Sequence, residues 1–341
     1  MAVKSWALTR ESSGEMVGAQ GYVWHPAPDG GATFAAPWVY TSNSETTPGG
    51  CGTLRFNAAG DVIDAYRILD GTGNNCAGGR MPWGTWMSCE ENQQGRVWEC
   101  NPFGTAAEAV VYPLLGTFSH EGVEADPVHR QLFLTEDIPV GRFYRFVPTA
   151  ADWPEGAVRP ALQAGELQAM QIVGNPAPTT PTAVIWHPIP QPTVAPTAAQ
   201  APQASAFNGG EGIWYFEGIV FFSTKGDNRI WAYDTDAETV EIIYDVATSD
   251  NPILSGVDNI TCSSSGDVLV AEDGGDMQIG FITPERQVLP LLQIVGQDAS
   301  EVTGPAFSPD GRRIYFSSQR GGRTNGAGTG ITYELLLPFA A

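Results

Sequence analysis

Four segments of this chain begin with a carboxylate and lead into a short apolar strand that ends in polar groups. They run from Glu121-Gly122-Val123 to 132–137, from Glu211-Gly212-Ile213 to 220–225, from Asp258-Asn259-Ile260 to 268–273, and from Glu301-Val302-Thr303 to 314–319. The starts at 121, 211, 258 and 301 are 90, 47 and 43 residues apart, so the first interval holds about two units of the others. A step of about 45 residues back from Glu121 lands on Cys76, and a second lands on Gly31. Both places open similar units, one reaching Cys89-Glu90 through 82–88 and the other reaching Glu45 through 38–44. A period of roughly 40–50 residues with several short strands per unit is the signature of a β-propeller. Six units are counted, and the expectation is an all-β, six-bladed β-propeller forming one domain over residues 1–341.

The residue types suit that reading. Forty glycines and 26 prolines supply turns, with aromatic residues for the strands between them. Helical periodicity is confined to short turns near 106–110 and 154–170. A proline-rich stretch at 175–208, interrupted by the strand-like Ala183-Val184-Ile185-Trp186-His187, accounts for the doubled interval. It reads as an insertion loop, either a linker or a cover over one mouth of the propeller.

Charge narrows the partners. With 17 basic against 38 acidic residues the formal net charge is −21, and no basic patch exists to neutralise phosphates, so nucleic acid is not expected as a partner. Such acidity suits a solvated surface or a site for hard cations. No apolar run reaches the length of a membrane span. Residues 1–7 lack the apolar core of an export signal, which leaves a cytoplasmic location or a removed leader. Five cysteines (Cys51, Cys76, Cys89, Cys100, Cys262) do not read as a disulfide framework, and at least one thiol should be free.

In a propeller the innermost strands line a central channel, so equivalent positions of successive units converge there. Glu121, Glu211, Asp258 and Glu301 would then form a ring of four carboxylates, whose mutual repulsion is relieved by cations. Oxygen ligands favour Ca²⁺, and the four histidines share no zinc spacing. Asp126, Asp267 and Asp310 stand in turn sequences and read as turn residues. Cys89, in Ser88-Cys89-Glu90-Glu91, reads either as a buried strand cysteine, as a disulfide partner of Cys76 or Cys100, or as a thiolate ligand to a softer metal such as iron.

The string from Asn75-Cys76-Ala77-Gly78-Gly79-Arg80-Met81-Pro82-Trp83-Gly84-Thr85-Trp86 to Met87-Ser88-Cys89-Glu90-Glu91 resembles the signature of the PhoX family of alkaline phosphatases and its short relatives. So do Ser42-Asn43-Ser44-Glu45, His120-Glu121-Gly122-Val123, Glu211-Gly212-Ile213, Thr224-Lys225-Gly226, Asp258-Asn259-Ile260 and the run from Glu301 to Gly311. The resemblance implies a six-bladed propeller with calcium and a pair of iron ions (Fe³⁺) on its axis, hydrolysing phosphate esters. It further implies Cys89 as the iron thiolate, Glu121, Glu211, Asp258 and Glu301 as ligands bridging iron and calcium, and Glu45, Glu90 and Glu272 as calcium ligands. A periplasmic or secreted location follows from the same resemblance.

One departure stands out. Gly209 occupies the place where the family resemblance implies an arginine, and Lys225 and Arg229 are the nearest cationic substitutes for binding phosphate. The expected activity is metal-assisted hydrolysis of a small-molecule phosphoester by a monomer. The alternatives are a calcium-dependent propeller lactonase or phosphotriesterase, and a non-catalytic propeller that uses metal for stability.

Overall fold

Turn chemistry cuts the chain into short strands. Glu217 and Gly218 both take positive φ (47° and 91°), as a two-residue hairpin turn requires. Runs such as Ile219-Val220-Phe221-Phe222 between such turns favour extended backbone. The computed structural model describes residues 3–7, 18, 21–35, 38–321 and 330–337.

In chain order the strands are β1 (Val3–Ala7), β2 (Pro28–Phe34), β3 (Val39–Ser44), β4 (Gly49–Phe56), β5 (Val62–Thr72), β6 (Asn75–Arg80), β7 (Trp86–Glu90), β8 (Val97–Cys100) and β9 (Val110–Val111). There follow β10 (His120–Asp126), β11 (Gln131–Glu136), β12 (Phe143–Pro148), β13 (Gly165–Ile172), β14 (Thr182–Pro188), β15 (Gly210–Phe216), β16 (Ile219–Thr224), β17 (Arg229–Asp234) and β18 (Thr239–Asp245). The last are β19 (Val257–Cys262), β20 (Val268–Glu272), β21 (Gln278–Ile282), β22 (Val288–Gln293), β23 (Val302–Phe307), β24 (Arg313–Ser318) and β25 (Ile331–Leu336). Helical structure among the described residues is limited to 3₁₀ turns at Ala106–Glu108, Pro113–Leu115, Thr197–Gln200 and Lys225–Asp227. The turn expected near 106–110 is present, whereas the later part of 154–170 is strand β13. No described helix is long and apolar enough to cross a membrane.

The fold is all-β and propeller-like. Strands β2–β5, β6–β9 and β19–β22 form three four-stranded sheets, and a fourth pairs β23, β24 and β25 with β1, joining the two ends of the chain. The remaining strands make one nine-stranded sheet in the order β10-β11-β12-β13-β14-β18-β17-β16-β15. The first strands β2, β6, β10, β15, β19 and β23 each pack on the next, and β23 packs on β2 to close the circuit.

The proline-rich insertion explains the nine-stranded sheet. Its strand β14 pairs with β13 (Ile172 opposite Val184) and, at Thr182 and Ala183, with Val240 and Thr239 of β18. Downstream, Ile189, Ala201 and Ala204 are buried with Leu132, Tyr144 and Phe146, and Thr197 Oγ1 donates to the Thr117 carbonyl at 2.8 Å. The insertion is a packed strap, not a free linker.

The core lies between neighbouring sheets and, in the nine-stranded sheet, between its two halves. Phe143 of β12 stacks on Phe222 of β16 at 4.2 Å between ring centroids, and Phe222 stacks on Trp231 at 5.7 Å. Burial of each such ring contributes roughly 1.5–3 kcal/mol, so this wall is what holds the first strands, and the side chains they carry, in place.

Candidate metal centre

Five of the first strands carry a β-bulge at one shared register. In each, two residues oppose a single residue of the second strand: Asp29-Gly30 opposite Asn43, Cys76-Ala77 opposite Cys89, Glu121-Gly122 opposite Thr135, Glu211-Gly212 opposite Ser223, and Asp258-Asn259 opposite Ala271. A bulge bends the strand and re-aims a side chain, and here the first bulged residue is always an acid or a thiol. In four of the five the second is glycine or alanine, because the next strand presses on it; in β19 it is Asn259, whose Oδ1 accepts from Gly304 N of β23 at 2.7 Å. A Cβ on Gly212 would lie 2.5 Å from Ile260 N, and one on Gly30 would lie 2.6 Å from Ala77 Cα.

The sixth first strand differs. In β23 the bulge is Gly304-Pro305 opposite Phe316, one step further along. Thr303 therefore stands nearest the register of Asp258, and Glu301 precedes the strand, bridged to Asp273. The four acids read as one phase from the sequence are three in phase, with Glu301 offset by two residues.

The bulges bring their side chains together. Glu121, Glu211 and Asp258 each offer an oxygen within 4.8 Å of the others, as do Cys76 Sγ with Glu91 and Glu121, and Asp29 and Glu45 with Cys76. Cys76 and Glu121 each belong to two trios, so the three form a continuous chain of ligand atoms.

The residue just after each second strand completes the mouth. These residues are Glu45, Glu91, Asp137, Lys225, Asp273 and Gln319. The residue before each faces the other way, as the two-residue period of a strand demands. Glu90 accepts from Gly73 N at 3.0 Å and Trp98 Nε1 at 3.1 Å. Glu272 accepts from Ser255 N at 2.8 Å and Gln278 N at 3.0 Å. Both expected ligands thus hold backbone and ring N–H groups, and their neighbours Glu91 and Asp273 face the mouth instead.

Cys89 is likewise displaced from the expected role. It lies in an apolar cluster with Met81, Met87, Val97 and Leu115, and burial followed by the Glu90 charge pushes its thiol well up. The thiol at the mouth is Cys76. All five cysteines are free and buried.

Of the expected phosphate-binding cations, Lys225 is at the mouth and Arg229 is not. Lys225 Nζ lies 2.8 Å from Glu211, 3.2 Å from Asp258 and 3.5 Å from Asp273. Arg229 is held by Asp227 and Asp245, each at 2.8 Å. Gly209 has φ 71°, and a Cβ there would lie 3.1 Å from Asp137 Oδ1. Two residues not singled out from the sequence also belong to the mouth. Gln319 Nε2 donates to Asp29 at 2.6 Å, to Glu301 at 2.8 Å and to Glu45. Arg320 pairs with Glu301 at 2.8 Å and Asp273 at 2.9 Å.

Burial and mutual repulsion hold these carboxyls above the usual range. Burial is the first cause at Asp29, raised to about 7 with Glu45 and Asp258 adding, and at Glu91, raised to about 8 with Asp137 and Glu45 adding. Glu121, Glu211 and Glu301 are pushed well up by burial and then by neighbouring acids, and Glu45 and Asp258 are raised chiefly by burial. Burial works against the Lys225 charge, but Asp258 and Glu211 more than offset it and hold the ammonium above its usual range. Glu211 stays raised despite that contact because burial, and then the Asp258 charge, work against it.

These residues fit bound cations. Glu121 is fully buried, and neither of its carboxylate oxygens has a hydrogen-bond partner. A buried polar group left so costs roughly 1–3 kcal/mol or more, which a cation among the three trios would relieve. The donor set of many carboxylates and one thiol suits hard cations together with one softer metal.

A family model described as alkaline phosphatase PhoX matches residues 40–98 and 92–322. Pseudomonas fluorescens PhoX, solved in complex with vanadate, a transition state analogue, shares 16% identity over 97% of this chain and 94% of its own, with a TM-score of 0.76. A gluconolactonase from Xanthomonas campestris shares 12% identity over 96% of this chain and 97% of its own, with a TM-score of 0.55. At such identities these likenesses speak for the fold alone. No curated protein matches the chain.

Proposed function

The chain belongs to the PhoX family of alkaline phosphatases, which are phosphoester hydrolases, and from that premise we propose that it hydrolyses small-molecule phosphoesters at the bulge-lined mouth. Asp29, Glu45, Cys76, Glu91, Glu121, Glu211, Asp258 and Glu301 would hold the cations. The observation that carries this reading is the buried Glu121 carboxylate, whose two oxygens lack partners where three first strands converge. We assign calcium to the oxygen-only trio and iron to the trios that share Cys76, because a thiolate favours the softer metal. Bound there, such cations offset charge on phosphoryl oxygens and supply the Lewis acidity for attack by water.

The chain's own side chains have separate tasks. The bulges fix the direction of the acids, Gln319 ties Asp29, Glu45 and Glu301 together, and Lys225 offsets charge on Glu211, Asp258 and Asp273. The closed circuit of six first strands supports counting six blades, with the nine-stranded sheet taken as two blades stitched through β14. On this reading residues 1–341 form one domain, acting as an exported monomer.

Hydrolysis of p-nitrophenyl phosphate and its bis-diester, with and without chelator and alongside metal analysis, tests the proposal. Chelator-sensitive turnover of at least one ester, with calcium and iron retained, is expected. A protein that binds no metal, or turns over neither ester, refutes it.

A further inference from the structure

We propose that Arg320 contacts the substrate directly, its guanidinium binding two nonbridging oxygens of the phosphoryl group at the mouth. The inference rests on the phosphoester reading above. A phosphoryl anion approaching a cluster of seven acids and a thiol on a chain of net charge −21 needs a positive group already in place at the entrance.

Among the described residues two cationic side chains form ion pairs with the mouth acids, and their settings differ. Lys225 is bound to Glu211 and Asp258, both first bulged residues, so any cation seated among the bulges competes for the same oxygens. Arg320 is held in part from outside the bulges. Its Nη2 donates to Asp273 at 2.9 Å, Nη1 to the Gln319 side-chain Oε1 at 2.6 Å, Nε to the Ala299 backbone carbonyl at 3.3 Å, and its backbone N to Ser300 Oγ at 2.9 Å. The Nη1 contact with Glu301 at 2.8 Å reaches a proposed ligand.

Layering points the same way. The Arg320 side chain is 39% exposed, against 7% for Glu301 and 1% for Glu211. The guanidinium is thus the outer layer of the same cluster, above the acids and open to an incoming anion. A planar guanidinium matches two oxygens of a phosphoryl group; Arg320 would present Nη1 and Nη2 together once Glu301 turns to a bound cation and gives up its Nη1 contact, while its other anchors leave little side-chain freedom to lose on binding.

The test uses metal-loaded protein and compares wild type with Arg320→Gln and Arg320→Lys. Three quantities are read: equilibrium binding of inorganic phosphate, bound metal, and KM and kcat on p-nitrophenyl phosphate. Losing charged hydrogen bonds should weaken phosphate binding roughly 10–100-fold in Arg320→Gln, with metal content unchanged and part of the loss recovered in Arg320→Lys. Unchanged phosphate affinity in Arg320→Gln overturns the proposal. So does a loss of metal in both variants that parallels the loss of phosphate, which marks a role confined to holding Glu301. If wild type binds phosphate through Arg320 yet hydrolyses no ester, the proposed function fails and the Arg320 site stands.

Discussion

Cys76 and Glu121 occupy the same bulge position on neighbouring first strands, β6 and β10, and each belongs to two of the three ligand trios. A thiol and a carboxylate are thereby interchanged at one geometric place. The bulge supplies direction and the residue supplies chemistry, so one repeated backbone device builds a site of mixed ligand character.

The two cysteines facing each other across that first hairpin, Cys76 in the bulge and Cys89 opposite it, should respond differently to substitution. Cys76→Ser is expected to lose the softer metal, and Cys89→Ala to keep it while losing about 1 kcal/mol through its cavity. Metal analysis and denaturant midpoints on both variants check this. Full iron retention in Cys76→Ser would refute the assignment.

Lys225 stands among three acids, so its value depends on what else neutralises them. In chelator-treated protein, Lys225→Met should cost about 1–3 kcal/mol, below the usual loss for breaking a buried pair because the side chain is partly exposed. Added calcium should narrow the gap. Thermal melts with and without calcium measure it, and an equal loss in both conditions would show that the ammonium and the cations act on separate acids.

The repeat was legible because Glu121, Glu211 and Asp258 share both a period and a bulge. The same step of 45 residues already reached Cys76 and came within two residues of Asp29. What it lacked was register: Glu301 lies 43 residues after Asp258 and Thr303 lies 45 after it, a difference that a period of roughly 40–50 residues does not resolve, so Glu301 looked in phase when it is not. Neighbouring candidates, Glu90 against Glu91 and Glu272 against Asp273, are separated only by which face of a strand end each takes, and composition carries no sign of that. Strand β14 could be read locally, whereas its pairing with β18 depends on how two distant hairpins lie side by side.

Close approach of the first strands should make the second bulge position intolerant of a side chain. A Cβ on Gly212 would meet Ile260 N at 2.5 Å, Asn259 Cα at 2.7 Å and the Asp258 carbonyl oxygen at 2.8 Å, all backbone atoms. Gly212→Ala must push β15 from β19 and should cost roughly 1–3 kcal/mol, displacing Asp258 with it. Reduced calcium affinity together with a lower denaturant midpoint is the expected result. A variant of native stability would mean the strands part freely.

At the end of the β10–β11 hairpin far from the mouth, His129 clasps two turns. Its Nδ1 lies 2.7 Å from Asp126 Oδ2 and its Nε2 lies 3.0 Å from Asp236 Oδ1 on the β17–β18 turn. Partial burial opposes the imidazolium, but the bond to Asp126 and the charges of Asp126 and Asp236 outweigh it and raise the pKa above the ordinary histidine value. Because the folded value is the higher one, the clasp contributes fully below the unfolded pKa of about 6.5. Its contribution is lost as pH rises through the folded value. His129→Ala should therefore cost up to about 1 kcal/mol at pH near 5.5, a figure kept small by solvent screening of an exposed pair, and the difference from wild type should shrink at pH near 9. Urea midpoints at the two pH values decide it, and a loss that is the same at both would show that the ring acts by packing, not by charge.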